Sequence, residues 1–376
     1  MKTRILPILR KEIAEIWRDP YTLGIALVLP LVLLFLFAYG FNLDVTNIRL
    51  MVFGQDQSVE SRSYAQAFVN SGYFNVVGAA RNEADINRAL DAGDAQTLLV
   101  IPPDFGRDLS AGRTAHAQTI LDGSYPSTAQ VAMNCVTAIN EAFSGERVST
   151  YLAAQTGQVV TVAVQAEQRV WFNPTLASIN AIVPGLFAMI LMAFPPLLSA
   201  LAIVREKERG SIQQIFVSPT LPYEFIIGKM IPYGVLAFVE MLIILVAGVF
   251  WFRVPFQGSV GLLLVAGLIY VFTSVGIGLL VSTITRTQVA ALLVALVLTM
   301  MPSFIFAGFL YPIHTMPPAL QLVSAAFPAR YFTEIALGIV MKGTGFAPHA
   351  SQFGVLTLYT VIVIGLAAWR FKKKVG

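Results

Sequence analysis

The chain has 376 residues, of which 56% are hydrophobic and only 12% are charged, and its formal net charge is +4. A water-soluble domain carries about 25% charged residues, so this composition excludes a soluble globular protein and indicates a membrane protein. The single cysteine, Cys135, excludes an intrachain disulfide and any metal cluster held by cysteines alone.

The first 19 residues have the pattern of an amphipathic helix, with apolar side chains on one face and basic ones outside it. Such a helix suits the membrane surface, with Trp17 at the interface. The apolar run at 20–41 then has the length of a membrane span, about 20 residues. Ala38-Tyr39-Gly40 weakly resembles a signal-peptide cleavage site, but signal-peptide cores are shorter than this run.

Residues 42–176 have the composition of a water-soluble domain that contains no lysine. The alternating patterns predict an α/β fold. The predicted order is strand 48–53, helix 59–70, strand 74–79, helix 83–91, strand 96–101, a short helix near 105, strand 118–121, a helix over 127–155 and an ambiguous β-branched stretch at 159–164. The continuous apolar run Leu98–Ile101 is typical of a central strand covered on both faces. No nucleophile motif accompanies His116, so we expect a surface histidine.

Residues 177–376 predict five more membrane spans, which makes six in all. The apolar runs are 178–204, 225–252, 259–284, 288–311 and 350–370. Basic residues concentrate in alternate gaps and at both ends: Lys2, Arg4, Arg10, Lys11, Arg18, Arg205, Lys207, Arg209, Lys229, Arg286, Arg370, Lys372, Lys373 and Lys374. The other short loops hold only Arg253, Arg330 and Lys342. Since cytoplasmic loops are rich in Lys and Arg, both termini are predicted to be cytoplasmic and the α/β domain extracytoplasmic.

A polar break at 205–224 separates two of these spans. Ile212, Ile215 and Phe216 share one face of a short helix bounded by Gly210 and Pro219. So short an apolar stripe cannot form a core of its own. It is expected to lie on lipid headgroups or in a groove of another protein, and packing under its own bundle is the alternative.

The segment 312–345, before the last span, is broken by several prolines but is apolar enough to re-enter the membrane. Broken helices at membrane depth are tolerated where they are buried in protein or line a cavity, so this hairpin is a candidate part of a transport pathway. Within it, Arg330 and Glu334 are four residues apart and are predicted to pair, as a structural clamp or as ligands.

Glu240 is predicted to be the one charged residue deep inside a span. An ionised carboxylate there is costly, so it indicates either a wet pathway or a protonated group that links two helices.

No phosphate-binding glycine loop occurs in the sequence, and Gly228-Lys229-Met230 is only a fragment of one. Any ATP chemistry is therefore expected on another chain. The histidines have no metal-ligand spacing, so we expect no metal and no cofactor bound by this chain. Basic residues follow the membrane face rather than the exposed domain, which disfavours nucleic acid as a partner.

Several segments in order resemble the permeases of ABC-2 type exporters. The quoted segments are Arg205-Glu-Lys-Glu-Arg-Gly210, Val217-Ser-Pro219 and Gly228-Lys229, preceded by Phe172-Asn-Pro174 and Ile182-Val-Pro-Gly185, and followed by Ala307-Gly-Phe-Leu-Tyr-Pro312, Met316-Pro317, Pro328, Tyr331-Phe332 and Gly343. Asp56–Ser58 and Ile101–Phe105 are similar to the extracytoplasmic domain of the drug-export branch.

This resemblance implies that the polar break carries the coupling helix that sits in a cleft of a separate ATPase subunit. The residues assigned to that role are Arg205, Glu206, Glu208, Arg209, Gly210, Ile212, Ile215, Phe216, Pro219 and, more weakly, Arg286. Glu240, Arg330 and Glu334 are assigned to the transport pathway.

The leading hypothesis is therefore an exporter subunit in a bacterial inner membrane, moving a hydrophobic or amphipathic compound such as a drug or a lipid. Its expected partners are two ABC ATPases that hold ATP and magnesium, a second identical or similar permease, membrane lipid and an envelope adaptor. A membrane-anchored envelope scaffold or sensor is the alternative. An ion-coupled transporter is disfavoured, since paired intramembrane charges and internal repeats are missing from the sequence.

Overall fold

A computed structural model describes residues 2–41, 47–124, 126–156, 171–174 and 177–371. The chain divides into two compact units, one formed by Met1–Asn42 with Val170–Gly376 and the other by Leu43–Arg169. The ambiguous stretch at 159–164 and the lysines at 372–374 lie outside the described residues.

The helices and strands follow one another in an order close to the predicted one. They are α1 (Lys2–Arg18), α2 (Pro20–Gly40), β1 (Ile48–Gly54), α3 (Val59–Asn70), β2 (Phe74–Ala79), α4 (Glu83–Asp91), β3 (Thr97–Ile101), α5 (Phe105–Ser110), β4 (Gln118–Leu121), α6 (Pro126–Thr156), α7 (Ile179–Glu208), α8 (Ile212–Val217), α9 (Pro222–Val246), α10 (Val260–Ile284), α11 (Gln288–Ala295), α12 (Met301–Phe306), α13 (Pro318–Ser324), α14 (Pro328–Lys342) and α15 (Ala350–Arg370). A π-helical segment, Ala247–Trp251, extends α9, and another, Leu296–Met300, joins α11 to α12.

Among the described residues, six helical stretches are long and apolar enough to cross a membrane, which confirms the predicted fold class. They are Pro20–Gly40, Ile179–Glu208, Pro222–Trp251, Val260–Ile284, Gln288–Phe306 and Ala347–Arg370. The second stretch runs four residues further than predicted and the third begins three residues earlier. The predicted loop at 205–224 is therefore mostly helical, and its charged residues occupy the last turn of α7.

Helix α7 is the central element of the membrane unit, because 83% of its most apolar 18-residue stretch is buried. In a regular helix the carbonyl of Leu191 would accept a hydrogen bond from the N–H of residue 195. Pro195 has no N–H, so this carbonyl lacks its usual partner within α7. The hydroxyl of Ser274 on α10 donates to that carbonyl at 2.5 Å. The hydroxyl of Tyr270 donates to the carbonyl of Ala188 at 2.6 Å. Because water is absent at this depth, such bonds hold α10 in register against α7.

The second unit is an α/β domain built on a four-stranded sheet in the order β2-β1-β3-β4. The pairs β1–β2 and β1–β3 are parallel, and β4 runs antiparallel to β3. The prediction of a central strand is confirmed, because Leu98 packs with Phe53 on one face while Leu99 and Ile101 belong to the larger core on the other.

Two segments that carried the resemblance meet at the end of β1. The carboxylate of Asp56 accepts hydrogen bonds from the backbone N–H of Ser58 at 2.8 Å, from its hydroxyl at 2.7 Å and from the N–H of Gly106 at 2.7 Å. These bonds, chiefly those from Ser58, lower the pKa of Asp56. Asp56 therefore joins the turn after β1 to the start of α5.

The ends of the membrane helices define two ends of the bundle. One end carries α8, and we call it the α8 end. The other carries α13 and α14, and we call it the hairpin end. The loop between α9 and α10 lies at the hairpin end, where the N–H of Gln257 donates to the carbonyl of Val340 at 2.9 Å.

Candidate functional site: a polar hub at the end of α7

Four consecutive residues at the end of α7, Arg205, Glu206, Lys207 and Glu208, each contact a different part of the bundle. We call these four residues the hub. Helix α7 stops directly after them, and Gly210 adopts a left-handed φ of +73° that turns the chain into α8. A residue with a Cβ is strained in that conformation, so glycine permits the sharp turn.

Arg205 binds the start of the first membrane helix. Its Nη1 lies 3.3 Å from Oδ2 of Asp19. Asp19 is the N-cap of α2 and accepts the N–H of Thr22 at 3.0 Å. Hydrogen bonds from Thr22, and then the nearby Arg205, hold the pKa of Asp19 below its usual value. Arg205 thus fixes the end of α7 beside the beginning of α2.

Glu206 belongs to a buried cluster of four charges. Its carboxylate pairs with Lys11 on α1 and lies 3.3 Å from Nζ of Lys229 on α9. Lys229 is fully buried, and its Nζ also contacts Oε1 of Glu12 at 2.6 Å and the carbonyl of Ala202 at 2.9 Å. Two lysines and two glutamates therefore neutralise one another where three helices meet.

Burial and pairing shift the pKa values of the two α1 residues of this cluster. Glu12 is 1% exposed, and its burial raises its pKa, while Lys229 opposes that rise. For Lys11, burial acts to lower the pKa, but the hydrogen bond and the charge of Glu206 raise it overall. A buried charge is stable only when it is paired, so the position of α1 depends on Lys229.

Lys207 closes the end of α10. Its Nζ donates to the carbonyls of Ser282 at 2.6 Å, Thr283 at 3.0 Å and Thr285 at 2.9 Å. Carbonyls in the last turn of a helix have no partner within it, and a cation there also interacts favourably with the helix dipole. Lys207 satisfies them and links α7 to α10.

Glu208 caps the start of α11, whereas Lys207 caps the end of α10. Its Oε1 accepts the backbone N–H of Gln288 at 2.7 Å, and its Oε2 accepts from the side chain of the same residue. Carboxylates are favourable at helix N-termini, where N–H groups lack partners. The hub as a whole therefore joins α7 to α1, α2, α9, α10 and α11.

The short helix α8 is oriented differently from the prediction that its apolar stripe faces a partner. Ile212 is 6% exposed and belongs to the core of the bundle, and Ile215 is half-buried against the same core. The side chain of Phe216 lies outside what the structure describes. Val217 is 79% exposed instead. The stripe is short, and the bundle core is its nearest apolar surface, so two of its members pack inward.

The remaining residues assigned to ATPase coupling lie around this helix. Arg209, Pro219 and Arg286 are exposed. A cavity of about 870 Å³ opens between α1 and α8, and Lys11, Glu206 and Arg209 are among the residues in its wall. The α8 end thus combines an exposed surface with a charged recess, while the hub beneath it is engaged within the chain.

Glu240 is 1% exposed, and neither of its carboxylate oxygens has a hydrogen-bond partner among the described residues. The prediction that it is the one charged residue deep in a span is wrong. The third span begins at Pro222, which places Lys229 two turns inside it, fully buried. Lys229 is paired with two carboxylates, whereas Glu240 has no partner among the described residues.

Arg330 and Glu334 form the predicted pair on α14, with Nε to Oε1 at 3.3 Å. Arg330 also donates to Ser324 at 2.9 Å and to the carbonyl of Gln321 at 3.2 Å. These contacts tie α14 to α13. The assignment of the pair to a transport pathway stays a prediction.

Sequence reasoning missed the roles of Lys207, Lys229 and Glu12. A signal was available for Lys207, since it stands among three of the assigned residues. Lys229 was counted among the basic residues of the cytoplasmic face, and no role was predicted for Glu12. Only the packing of α1 on α9 brings them together.

The fold and the hub define a multi-pass α-helical membrane protein with an inserted α/β domain, in which the polar end of one central helix connects most of the bundle. Comparison with known proteins then identifies its family. The family model described as ABC-2 family transporter protein matches residues 20–369. The chain belongs to this family and is a membrane permease of an ABC transporter, which confirms the resemblance. Membership implies an ABC ATPase partner.

Relatives match over nearly the full chain. The chain is 32% identical over 374 residues to the probable multidrug ABC transporter permease YbhS of Escherichia coli K12, covering 99% of this chain and 97% of that protein. It is 30% identical over 372 residues to the probable multidrug ABC transporter permease YbhR of the same strain, covering 99% of each. It is 27% identical over 329 residues to the inner membrane transport permease YhhJ of that strain, covering 85% of this chain and 84% of that protein.

Proposed function

We propose that this permease exports a hydrophobic or amphipathic compound from the cytoplasm or the inner leaflet of a bacterial inner membrane. Two ABC ATPase subunits bind at the α8 end and carry the ATP and magnesium, and a second permease completes the transporter. In this arrangement both termini are cytoplasmic and the α/β domain is periplasmic. The multidrug names of two relatives and the apolar character of the membrane helices support the substrate class.

The hub is the observation that carries this proposal. A displacement of α8 acts directly on the end of α7, because one glycine turn separates the two helices. Arg205 and Glu206 transfer that displacement to α2, α1 and α9, while Lys207 and Glu208 transfer it to α10 and α11. A membrane anchor for a scaffold or sensor would not require its central helix to bind so many other helix ends.

The surface proposed to meet the ATPase follows from the orientation of α8. Val217 and Leu221 are 79% and 43% exposed, and their chain neighbours Ser218 and Thr220 line the charged recess between α1 and α8. Ile212 and Ile215 support α8 from below. Substitutions at Ile212 are therefore expected to disturb folding, whereas substitutions at Val217 test the partner contact.

The test pairs Val217→Asp with Val59→Asp, a matched control in the α/β domain whose valine is 67% exposed. Each full-length variant is co-expressed with candidate ABC ATPase subunits, and co-elution, ATP turnover and export of a lipophilic dye are measured. We expect Val217→Asp to lower all three by at least about tenfold, which corresponds to about 1.4 kcal/mol in the binding step. Val59→Asp should behave as the wild type.

Retention of co-elution and dye export by Val217→Asp would remove this surface from the coupling interface. Dye export that continues without any ABC ATPase would refute the proposed mechanism altogether. Failure of every ATPase to bind the wild type, with no dye export, would favour the scaffold or sensor function.

A further inference from the structure

The hairpin end contains a cavity of about 660 Å³, formed by α14 together with the segments before and after it. We call it the hairpin cavity. Its polar wall includes Arg330, Glu334, Lys342, His314, His349 and Gln352. We propose that the hairpin cavity is a binding site for a phosphate group. This inference rests on the proposed function only for the side of the membrane on which the cavity opens.

Both oxygens of the one carboxylate among these residues already bond to side chains of the same cavity wall. Oε1 of Glu334 pairs with Nε of Arg330 at 3.3 Å, and Oε2 accepts from Nε2 of Gln352 at 3.1 Å. Both oxygens are engaged, so Glu334 offers little to a cationic ligand. It instead holds the guanidinium of Arg330 in a fixed orientation.

The positive groups, in contrast, retain free donors. Arg330 uses Nε and Nη1 in its bonds to α13 and α14, and its Nη2 has no hydrogen bond to a described residue. Among the described residues, Lys342 forms no ion pair and His314 forms no hydrogen bond, and both side chains are exposed in the wall of the cavity. With one carboxylate against two permanent cations, the cavity carries a positive excess.

His349 provides a second, independent observation. It is 9% exposed, its Nε2 lies 2.8 Å from the hydroxyl of Thr344, and its Nδ1 has no hydrogen-bond partner among the described residues. A Cβ at position 338 would lie 2.2 Å from Nε2 of His349, so the imidazole rests directly on Gly338 of α14. A buried polar atom without a hydrogen-bond partner is unusual, and a bound water, ion or ligand is one explanation for it.

This set of donors matches the chemistry of a phosphate group. A guanidinium held in place by its neighbours and a mobile ammonium are the side chains that bind phosphate oxygens most strongly. The volume lies within the range of about 300–1,000 Å³ that is typical of small-ligand sites. A phospholipid headgroup or a free phosphate could supply the same group, and two probes distinguish these sources.

The experiment uses the full-length permease without any ATPase, purified in a phosphate-free maltoside detergent, with or without added phosphatidylglycerol. The thermal midpoint is measured for the wild type, for Lys342→Gln and for Arg253→Gln. Arg253 is an exposed cation in the loop between α9 and α10, also at the hairpin end, but it lies outside the wall of the cavity. A parallel series adds inorganic phosphate to the detergent-purified permease at constant ionic strength.

We expect one of the two probes to raise the midpoint of the wild type and of Arg253→Gln by at least 2 °C above the detergent reference, and Lys342→Gln to lose half of that shift or more. A shift with phosphatidylglycerol identifies a lipid headgroup, and a shift with inorganic phosphate identifies a soluble phosphate. Equal responses of Lys342→Gln and Arg253→Gln would overturn the proposal, since surface charge would then explain the effect. So would the absence of a shift with both probes.

Lys342 is exposed, so its substitution should leave the fold intact, and His314→Gln serves as a second variant if Lys342→Gln is unstable. Because the measurement contains no ATPase, its outcome is separate from that of the export assay. A permease that binds phosphate but does not export dye would contradict the proposed function and leave this site in place.

Discussion

The buried charge cluster at the α8 end yields a specific prediction for Lys229→Met. Methionine nearly matches the length and volume of lysine but removes the charge. The substitution leaves Glu12, 1% exposed, without its 2.6 Å partner and takes from Glu206 one of its two lysines. The carbonyl of Ala202 also loses its donor. The result is two buried carboxylates that repel each other near a single remaining lysine.

The expected magnitude follows from the burial of the pair. Removing one partner of a buried ion pair costs about 3–5 kcal/mol, because the other charge stays in a poorly solvated site. Lys229 is fully buried, so solvent screening does not reduce this value. At about 2–4 °C per kcal/mol for a unit of roughly 150–250 residues, a range that includes the membrane unit, the thermal midpoint should fall by roughly 6–20 °C.

Two variants test the reasoning. Lys11→Met removes the other lysine of the cluster, whose side chain is 46% exposed, and should cost less than about 1 kcal/mol. The double variant Glu12→Gln with Lys229→Met removes both charges of the 2.6 Å ion pair and should be more stable than Lys229→Met alone, by about 0.5–3 kcal/mol.

The assay is the fraction of monodisperse permease that remains after heating in detergent, followed by fluorescence-detected size exclusion. An unchanged midpoint for Lys229→Met would show that the cluster is not a stabilising pair. A double variant that is no more stable than Lys229→Met alone would contradict the coupling of Glu12 to Lys229.

Three further predictions concern the hub and the central helix. Lys207→Met removes three hydrogen bonds from the end of α10 and should lower stability by about 1.5–3 kcal/mol while uncoupling ATP turnover from dye export, with Arg253→Met as the exposed control. Gly210→Ala places a Cβ at a φ of +73° and should cost about 1–2 kcal/mol, which the same thermal assay measures, whereas Gly123→Ala, with no atom near its Cβ and no positive φ, should have little effect. Ser274→Ala leaves the carbonyl of Leu191 without a donor and should cost about 1–3 kcal/mol, and the conservative Ser274→Thr should recover part of that loss.

Much of the fold follows directly from the sequence. Six apolar stretches of sufficient length predict six membrane helices, and the alternation of short strands and helices between the first two predicts the α/β domain. Leu98–Ile101 shows why this works, since a strand buried on both faces needs an uninterrupted apolar run. The pairing of Arg330 with Glu334 is equally local, because residues four apart share a helix face.

The hub was only half accessible to such reasoning. A run of charges beside an apolar helix resembles a solvated loop, and periodicity cannot show that α7 continues through Glu208. The partners of Glu206 lie 195 and 23 positions away, at Lys11 and Lys229, and no local pattern connects them. Tertiary packing of α1 on α9 decides their role.

The sequence could not decide which way the apolar stripe of α8 faces. A two-turn stripe on a polar segment can face either a partner or the bundle, and both arrangements bury the same side chains. The bundle offers the nearer apolar surface, so Ile212 enters it.

Three of the four hub residues contact helix ends, whereas Glu206 contacts α1 and α9 within their lengths, and this distinction bears on how the permease moves. Bonds to the start of α2, the end of α10 and the start of α11 constrain where these helices end without locking the packing along their lengths. Near the middle of α10, Tyr270 stacks on Phe332 of α14 with ring centroids 4.3 Å apart. Helix α10 therefore contacts the hub through Lys207 and the hairpin through Tyr270. Packed contacts therefore run from α8 through α7 and α10 to α14, and other residues of α14 line the hairpin cavity.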